Sequence, residues 1–133
     1  MKNIIKFFQI ISLAIIFFLA SCAKENNTDA RYNYVGTWIM AENSKNFGQT
    51  SYSISISKSN ADNVNIIVKN FYNLGPSTNT IVEVSGNNIL INSQTVSGTI
   101  ISGSGTLSGK ISWTYQTNDG VNKDNCTATS TKQ

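Results

Sequence analysis

The stretch that decides the fold is residues 52–57, which read Tyr-Ser-Ile-Ser-Ile-Ser. Apolar side chains at 52, 54 and 56 alternate with serines, so one face of the segment is apolar and the other carries hydroxyls. A period of two residues is typical of a strand with one buried face. Residues 111–115, which read Ile-Ser-Trp-Thr-Tyr, repeat the pattern with larger side chains. Both stretches predict half-buried antiparallel strands.

Turn signals divide the chain from residue 34 onward into segments of strand length. The clearest turns fall at 59–62, 72–80, 85–88 and 118–120. With a first strand at 35–42 and a last strand at 124–131, this spacing predicts eight strands, one of them bulged or broken near Gly103 and Gly105. We find no apolar period of 3.6 residues. The predicted fold is therefore all-β, an up-and-down antiparallel barrel of about eight strands, because closure leaves no strand edge exposed.

The N-terminus differs from the rest of the chain. Lys2 and Lys6 accompany a mainly apolar run over residues 7–20. A helix that spans a bilayer needs about 20 apolar residues, and this run is shorter. It therefore predicts a secretory signal peptide over residues 1–21.

Residues 19–22 read Leu-Ala-Ser-Cys. This quartet resembles the lipobox of bacterial lipoproteins, in which the chain is cut before the cysteine and the thiol becomes diacylglycerated. The resemblance implies that Cys22 carries palmitate-type acyl chains, and two or three such chains anchor a protein stably whereas one does not. The alternative is an ordinary secretory peptide with a chance cysteine near its cleavage site.

Ala23 follows that cysteine. In bacterial lipoproteins a residue other than aspartate at this position implies sorting to the outer membrane. Lys24 and Glu25 resemble the surface-export signal of Bacteroidota lipoproteins, with one acid only. We therefore expect a lipid anchor in the outer membrane, and leave open whether the protein faces the periplasm or the cell surface.

Cleavage changes the charge and the cysteine count. It removes Lys2 and Lys6 from ten basic residues and none of the seven acids, so the net charge falls from +3 to +1. So small a charge predicts no nucleic-acid partner. If Cys22 carries lipid, Cys126 has no partner within the chain and is either buried in a strand or paired with another chain. The predicted organisation is a signal peptide (1–21), a lipidated cysteine with a flexible tether (22–33) and a barrel domain (34–133).

The first predicted strand opens with Val-Gly-Thr-Trp at residues 35–38. Glycine and tryptophan spaced in this way resemble the lipocalin and wider calycin signature. Together with the Gly-Ser-Gly at 103–105 and the Trp-Thr-Tyr at 113–115, they resemble the calycin-like lipoproteins of Bacteroidota over about residues 34–132. The resemblance implies that Gly36 lets the chain turn in at the closed end, that Trp38 plugs the barrel base and that Lys132 lies over its ring.

Little in the sequence predicts catalysis. The chain has no histidine, which excludes a Ser-His-Asp triad and any histidine general base or metal ligand. Among the acids, Glu83 lies in the middle of a predicted strand and faces either the lumen or solvent. Residues 119–124 lack the ligand spacing of a calcium loop, and a hairpin turn accounts for them. We therefore expect no metal, no cofactor and no enzymatic activity.

Two functions remain in competition. The first is a monomeric, lipid-anchored binding module that holds a small apolar or amphipathic ligand inside the barrel. Its candidate cavity residues are Tyr52, Ile54, Ile56, Trp113 and Tyr115. The alternative is a surface module that recognises a glycan or a protein partner through its loops or a polar strand face. An open apolar lumen of roughly 300 Å³ or more favours the first, and a lumen filled by its own side chains counts against it.

Overall fold

Eight strands form a closed antiparallel barrel in the computed structural model, which describes residues 28–133. The strands are β1 (Gly36–Ser44), β2 (Gly48–Lys58), β3 (Asn65–Lys69), β4 (Asn79–Ser85), β5 (Asn88–Val96), β6 (Thr99–Ser108), β7 (Lys110–Asn118) and β8 (Lys123–Lys132). Two short 3-10 helices, η1 (Ala30–Asn33) and η2 (Phe71–Asn73), complete the elements. The predicted signal peptide (1–21), Cys22 and the first part of the tether lie outside the described residues.

Each strand pairs with the next one along the chain, and β8 pairs with β1 to close the ring. In the closing pair, Trp38 lies opposite Lys132 and Ser44 lies opposite Cys126. The predicted all-β, up-and-down, eight-stranded antiparallel barrel is thereby confirmed, and it is consistent with a calycin-like fold. No helix within residues 28–133 is long and apolar enough to cross a membrane.

The alternation in the sequence sets which side chains fill the barrel. In β2, Ile54 and Ile56 are buried while the serines between and beside them are exposed. In β7, Ile111, Trp113 and Tyr115 are buried in the same way. Because successive side chains of a strand point to opposite faces, one face of every strand supplies the core and the other meets solvent.

Two glycines let β6 curve tightly against β7. A Cβ atom at Gly103 would lie 2.5 Å from the carbonyl oxygen of Thr114, and one at Gly105 would lie 2.5 Å from that of Ser112. Any side chain at these positions therefore forces the two strands apart. Glycine kinks of this kind bend a sheet enough to close it.

The barrel has two ends, which we call the base and the mouth. The base carries η1, the turns at 59–64 and 86–87, and the end of β8. The mouth carries the turns at 45–47, 97–98 and 119–122 and the segment 70–78, which contains η2.

The segment before β1 is fastened to the base. Arg31 is buried, and its guanidinium pairs with Asp29 at 2.8 Å. Its Nη1 also donates to the carbonyl oxygens of Asp62 at 2.7 Å, Asn65 at 3.3 Å and Ser59 at 3.4 Å. The predicted flexible tether over 22–33 was therefore too long at its C-terminal end, because residues 29–33 dock onto the base through this arginine.

Candidate functional site

The predicted cavity residues lie in a packed interior. Ile54, Ile56, Trp113 and Tyr115 are each at most 2% exposed, and Tyr52 is half-buried. The ring of Phe71, from η2, fills the space beside them, with its centroid 5.2 Å from that of Trp113 and 4.7 Å from that of Tyr115. The chain's own side chains thus occupy the volume in which the sequence places a ligand.

The structure brings Gly36 and Trp38 of β1 together with Lys132 of β8 at the base. Trp38 is buried, and its indole N–H donates to the carbonyl oxygen of Tyr34 at 2.7 Å. The Nζ atom of Lys132 lies 5.5 Å from the Trp38 ring centroid, within cation–π range. A Cβ at Gly36 would lie 3.1 Å from Cε of Lys132, so the glycine leaves room for the lysine to cross. Trp38 acts here as a core plug.

A carboxylate that the sequence reading missed lies inside the mouth half of the barrel. Glu42 is 5% exposed and accepts hydrogen bonds from the hydroxyls of Tyr52 and Tyr115. The pKa values of both phenols lie well above their usual range, mainly because the side chains are buried and also because they donate to Glu42. Both tyrosines therefore stay protonated and remain donors to Glu42.

A second carboxylate, that of Asp124, lies closer to the rim of the mouth. Its Oδ2 accepts from the hydroxyls of Ser44 at 2.6 Å and Tyr72 at 3.0 Å, and from the thiol of Cys126 at 3.4 Å. Its Oδ1 accepts from the backbone N–H of Asn46 at 3.2 Å. Burial acts to raise its pKa, but these hydrogen bonds outweigh burial and hold the pKa below its usual range.

Cys126 is buried beside this carboxylate. Burial, reinforced by Asp124, raises the pKa of its thiol to about 12. The sequence leaves open whether Cys126 is buried in a strand or paired with another chain, and in the structure it is buried. A protonated, enclosed thiol is a poor nucleophile.

The segment 70–75 covers the carboxylates. Its residues Asn70, Tyr72 and Asn73 have positive φ angles of 61°, 55° and 52°. Asn70 stabilises the bend, since its side chain donates to the carbonyl oxygen of Ser53 at 2.8 Å and accepts from the N–H of Gly75 at 2.8 Å. This backbone path places Phe71 in the core and carries Tyr72 to Asp124.

Two other acids that the sequence analysis considered, Glu83 and Asp119, are exposed on the outside of the barrel. Glu83 is exposed on the outer face of β4, within 3.3 Å of the side-chain amide of Asn92. Of its two predicted positions, the structure shows the one facing solvent. Asp119 accepts from the N–H groups of Val121 and Asn122 at 2.9 and 2.6 Å, which is the geometry of a hairpin turn.

A groove of about 600 Å³ crosses the outside of the barrel over β1, β8, β7 and β6, and we call it the outer groove. It is lined by Asn43, Lys45, Ser102, Gly103, Thr114, Tyr115, Gln116, Asn125, Cys126 and Thr127. Outward amide and hydroxyl side chains stand along its walls, and most of the surface between them is carbon. A second groove of about 400 Å³ continues toward the mouth and shares Ser102, Gln116 and Asn125 with the first.

The geometry separates two kinds of polar site. The carboxylates inside the mouth accept hydrogen bonds from hydroxyl, thiol and N–H groups of the same chain, as expected of buried polar groups. The amides and hydroxyls of the outer groove face solvent and are free to exchange their water for a ligand. Fold and site together define a small closed β-barrel with a filled lumen and an outer groove that is flanked by polar side chains.

Comparison with known proteins adds no family to this description. No protein-family model matches the chain, and no curated protein matches it.

Proposed function

We propose that the chain is a lipid-anchored, non-catalytic binding module of the outer membrane that takes its ligand in the outer groove. The observation that carries the proposal is a groove of about 600 Å³ on the outside of a barrel whose interior is packed. Ligand sites typically measure roughly 300–1,000 Å³. The proposal therefore favours the surface-module alternative over a small apolar ligand inside the barrel.

The chemistry of the walls favours a glycan. Each hydroxyl of a sugar both donates and accepts a hydrogen bond, and so do the side chains of Thr114, Gln116, Asn125 and Thr127. These residues are adjacent across the strands, because Gln116 lies opposite Asn125 and Thr114 lies opposite Thr127. A small apolar ligand in the lumen, in contrast, has to displace the buried ring of Phe71.

Binding without catalysis is supported by the state of the buried acids. Glu42 and Asp124 are occupied by donors of their own chain, and the full sequence offers no histidine as a general base. Proton transfer at neutral pH calls for a group whose pKa lies near 7 and that a substrate can reach. Glu42 and Asp124 are buried, so a substrate in the outer groove does not reach either carboxylate.

A glycan array tests the site with a matched pair of variants. Thr127→Tyr fills the outer groove, whereas Thr131→Tyr adds the same side chain to the same exposed face of β8 outside it. We expect the protein to retain one class of glycan, and Thr127→Tyr alone to weaken that binding roughly tenfold or more. Retention of no glycan, or equal loss in both variants, overturns the proposed site.

The anchor needs its own test. The chain reaches the barrel at the base, whereas the outer groove extends toward the mouth, so an anchor at Cys22 leaves the groove accessible. Metabolic labelling with a palmitate analogue, followed by membrane fractionation, is expected to mark the protein in the outer membrane. Cys22→Ser is expected to abolish the label. Labelling that survives this substitution excludes lipidation at Cys22.

A further inference from the structure

We propose that the ligand of the outer groove is an acidic saccharide, whose carboxylate lies at Lys45 and whose hydroxyls meet the amide and hydroxyl walls. This inference rests on the function proposed above and names the ligand class of the same site. It is carried by the charge of the lining, the position of Lys45 and the arrangement of the walls.

The lining of the outer groove carries one charged side chain, Lys45, and no carboxylate. Within residues 28–133, the ion pairs are those of Asp29 with Arg31 and Lys58, so Lys45 has no acidic partner. Its side chain is exposed. An unpaired ammonium at the end of an otherwise uncharged groove favours a ligand that brings one negative charge.

The backbone holds Lys45 at the mouth end of the groove. Its N–H donates to the carbonyl oxygen of Asn125 at 3.1 Å. The next residue, Asn46, donates through its side-chain amide to the carbonyl oxygen of Lys123 at 2.8 Å. Lys123 lines the adjoining groove, so two lysines flank the same corner.

The carboxylates of this corner are occupied by other groups. Asp124 is 2% exposed and accepts hydrogen bonds from Ser44, Tyr72 and Asn46. Asp119 accepts the N–H groups of its own turn. Among the charged residues that line the two grooves, the exposed ones are therefore Lys45 and Lys123, and Lys45 is the one in the outer groove.

The walls continue away from Lys45 as rows of uncharged polar side chains. Strand pairing aligns Ser102, Gln116 and Asn125 in one row and Thr114 and Thr127 in the next. Asn43 extends the second row onto β1, opposite Thr127. Rows of donors and acceptors beside a single cation match a sugar ring that carries several hydroxyls and one carboxylate.

The test compares two probes that differ in charge. The disaccharide of galacturonic acid and the galactose disaccharide of the same linkage are titrated into the protein by calorimetry. A charge-assisted hydrogen bond predicts that the acidic probe binds about tenfold more tightly. We expect Lys45→Gln to remove this preference, and added salt to weaken it. Lys110→Gln, which neutralises an exposed lysine at the base, is the control and is expected to leave the preference intact.

The outcomes separate this inference from the proposed function. Equal binding of both probes, with loss in Thr127→Tyr, overturns the acidic preference and leaves the glycan site standing. A preference that survives Lys45→Gln overturns the role of that lysine. Binding of neither probe, together with an empty glycan array, overturns the inference and the proposed function alike. Circular dichroism of each variant confirms that the barrel is folded.

Discussion

The base and the mouth close the same barrel with different chemistry. At the base, Trp38 fills the lumen, its N–H bonds to Tyr34, and Lys132 covers its ring. At the mouth, Glu42 and Asp124 lie inside the wall, each held by hydroxyl groups of its own chain. Burial of apolar surface stabilises one end, while the other depends on the hydrogen bonds made to its two buried carboxylates. The two ends should therefore respond differently to substitution and to pH.

The largest effect is expected at the base. Trp38→Ala removes a side chain that is 2% exposed and leaves a cavity behind, which costs about 3–5 kcal/mol in the free energy of unfolding. Urea denaturation at neutral and at acidic pH measures this loss, which should be nearly the same at both. Trp38→Phe keeps part of the ring and is the control, with a smaller expected loss. A cost below about 1 kcal/mol for the alanine variant contradicts the plug.

The next effect concerns Asp124 at the mouth and depends on pH. Its pKa in the folded protein lies below the unfolded value of about 3.9. The carboxylate therefore contributes stability that is fully present above the unfolded pKa and is lost as the pH falls through the folded pKa. Asp124→Asn keeps the size but not the charge, and is expected to cost about 1–3 kcal/mol at pH 7.

Urea denaturation of the wild type and of Asp124→Asn over a pH series checks this sign. The difference between the two proteins should shrink as the pH falls below about 4. A difference that stays constant over the whole series contradicts the role of the ionised carboxylate. The Trp38→Ala variant, whose loss involves no titrating group, provides the comparison from the base.

A smaller effect is expected in the segment that covers the mouth. Asn73 is exposed and has a φ of 52°, which a β-branched side chain adopts only under strain. Asn73→Val is expected to cost about 1 kcal/mol, and Asn73→Gly close to nothing. Asn63→Val, at an exposed residue of a base turn without a positive φ, is the control. Equal thermal midpoints for both valine variants contradict a strained cover.

The smallest effect is expected from the lysine over the base. Lys132→Met keeps the length of the side chain and removes the charge 5.5 Å from the Trp38 ring. The cost should be about 0.5 kcal/mol, because a cation–π pair at an exposed site contributes little. Urea denaturation alongside Lys110→Met, a lysine without this contact, isolates the ring interaction. Identical losses in the two variants show that Lys132 contributes no more than its charge.

Alternation in the sequence was sufficient to predict the fold, and the resemblance of residues 35–38 to the calycin signature implied the arrangement of the base, but neither predicted the mouth. The inward direction of Ile54 and Ile56 is predictable because each residue next to them in the chain is a serine. Glu42 has the same parity as Trp38 and Met40 in β1, and Asp124 has the same parity as Cys126 and Ala128 in β8. Strict counting from these residues predicts two inward carboxylates. Glu42 and Asp124 were nevertheless not predicted to be buried, because acidic side chains are mostly exposed.

Other features of the mouth have no local signal. Phe71 enters the core because Asn70 and Tyr72 adopt a left-handed backbone conformation. Neither residue is a glycine, which is the usual sequence signal for that conformation. The outer groove depends on the register of four strands, since Asn43, Thr127 and Thr114 become neighbours through pairings that alternation alone leaves free. The short range of sequence patterns therefore explains why the inward face of each strand was predictable, whereas the filling of the lumen by Phe71 and the outer groove were not.

The hydrogen bonds of Arg31 to the turn between β2 and β3 have a mechanical consequence for a chain that is pulled from its N-terminal side. The lipid anchor proposed above would pull on the chain from its N-terminal side. Within residues 28–133, such a pull would meet Asp29 and then Arg31, whose guanidinium is held by the carbonyls of Ser59, Asp62 and Asn65. Those bonds carry the load into the turn between β2 and β3. The hydrogen-bonded ladder of β1, which starts at Gly36, lies behind them and is shielded from being peeled open. If the chain is anchored as proposed, these hydrogen bonds of Arg31 would have to break before a pull reached β1.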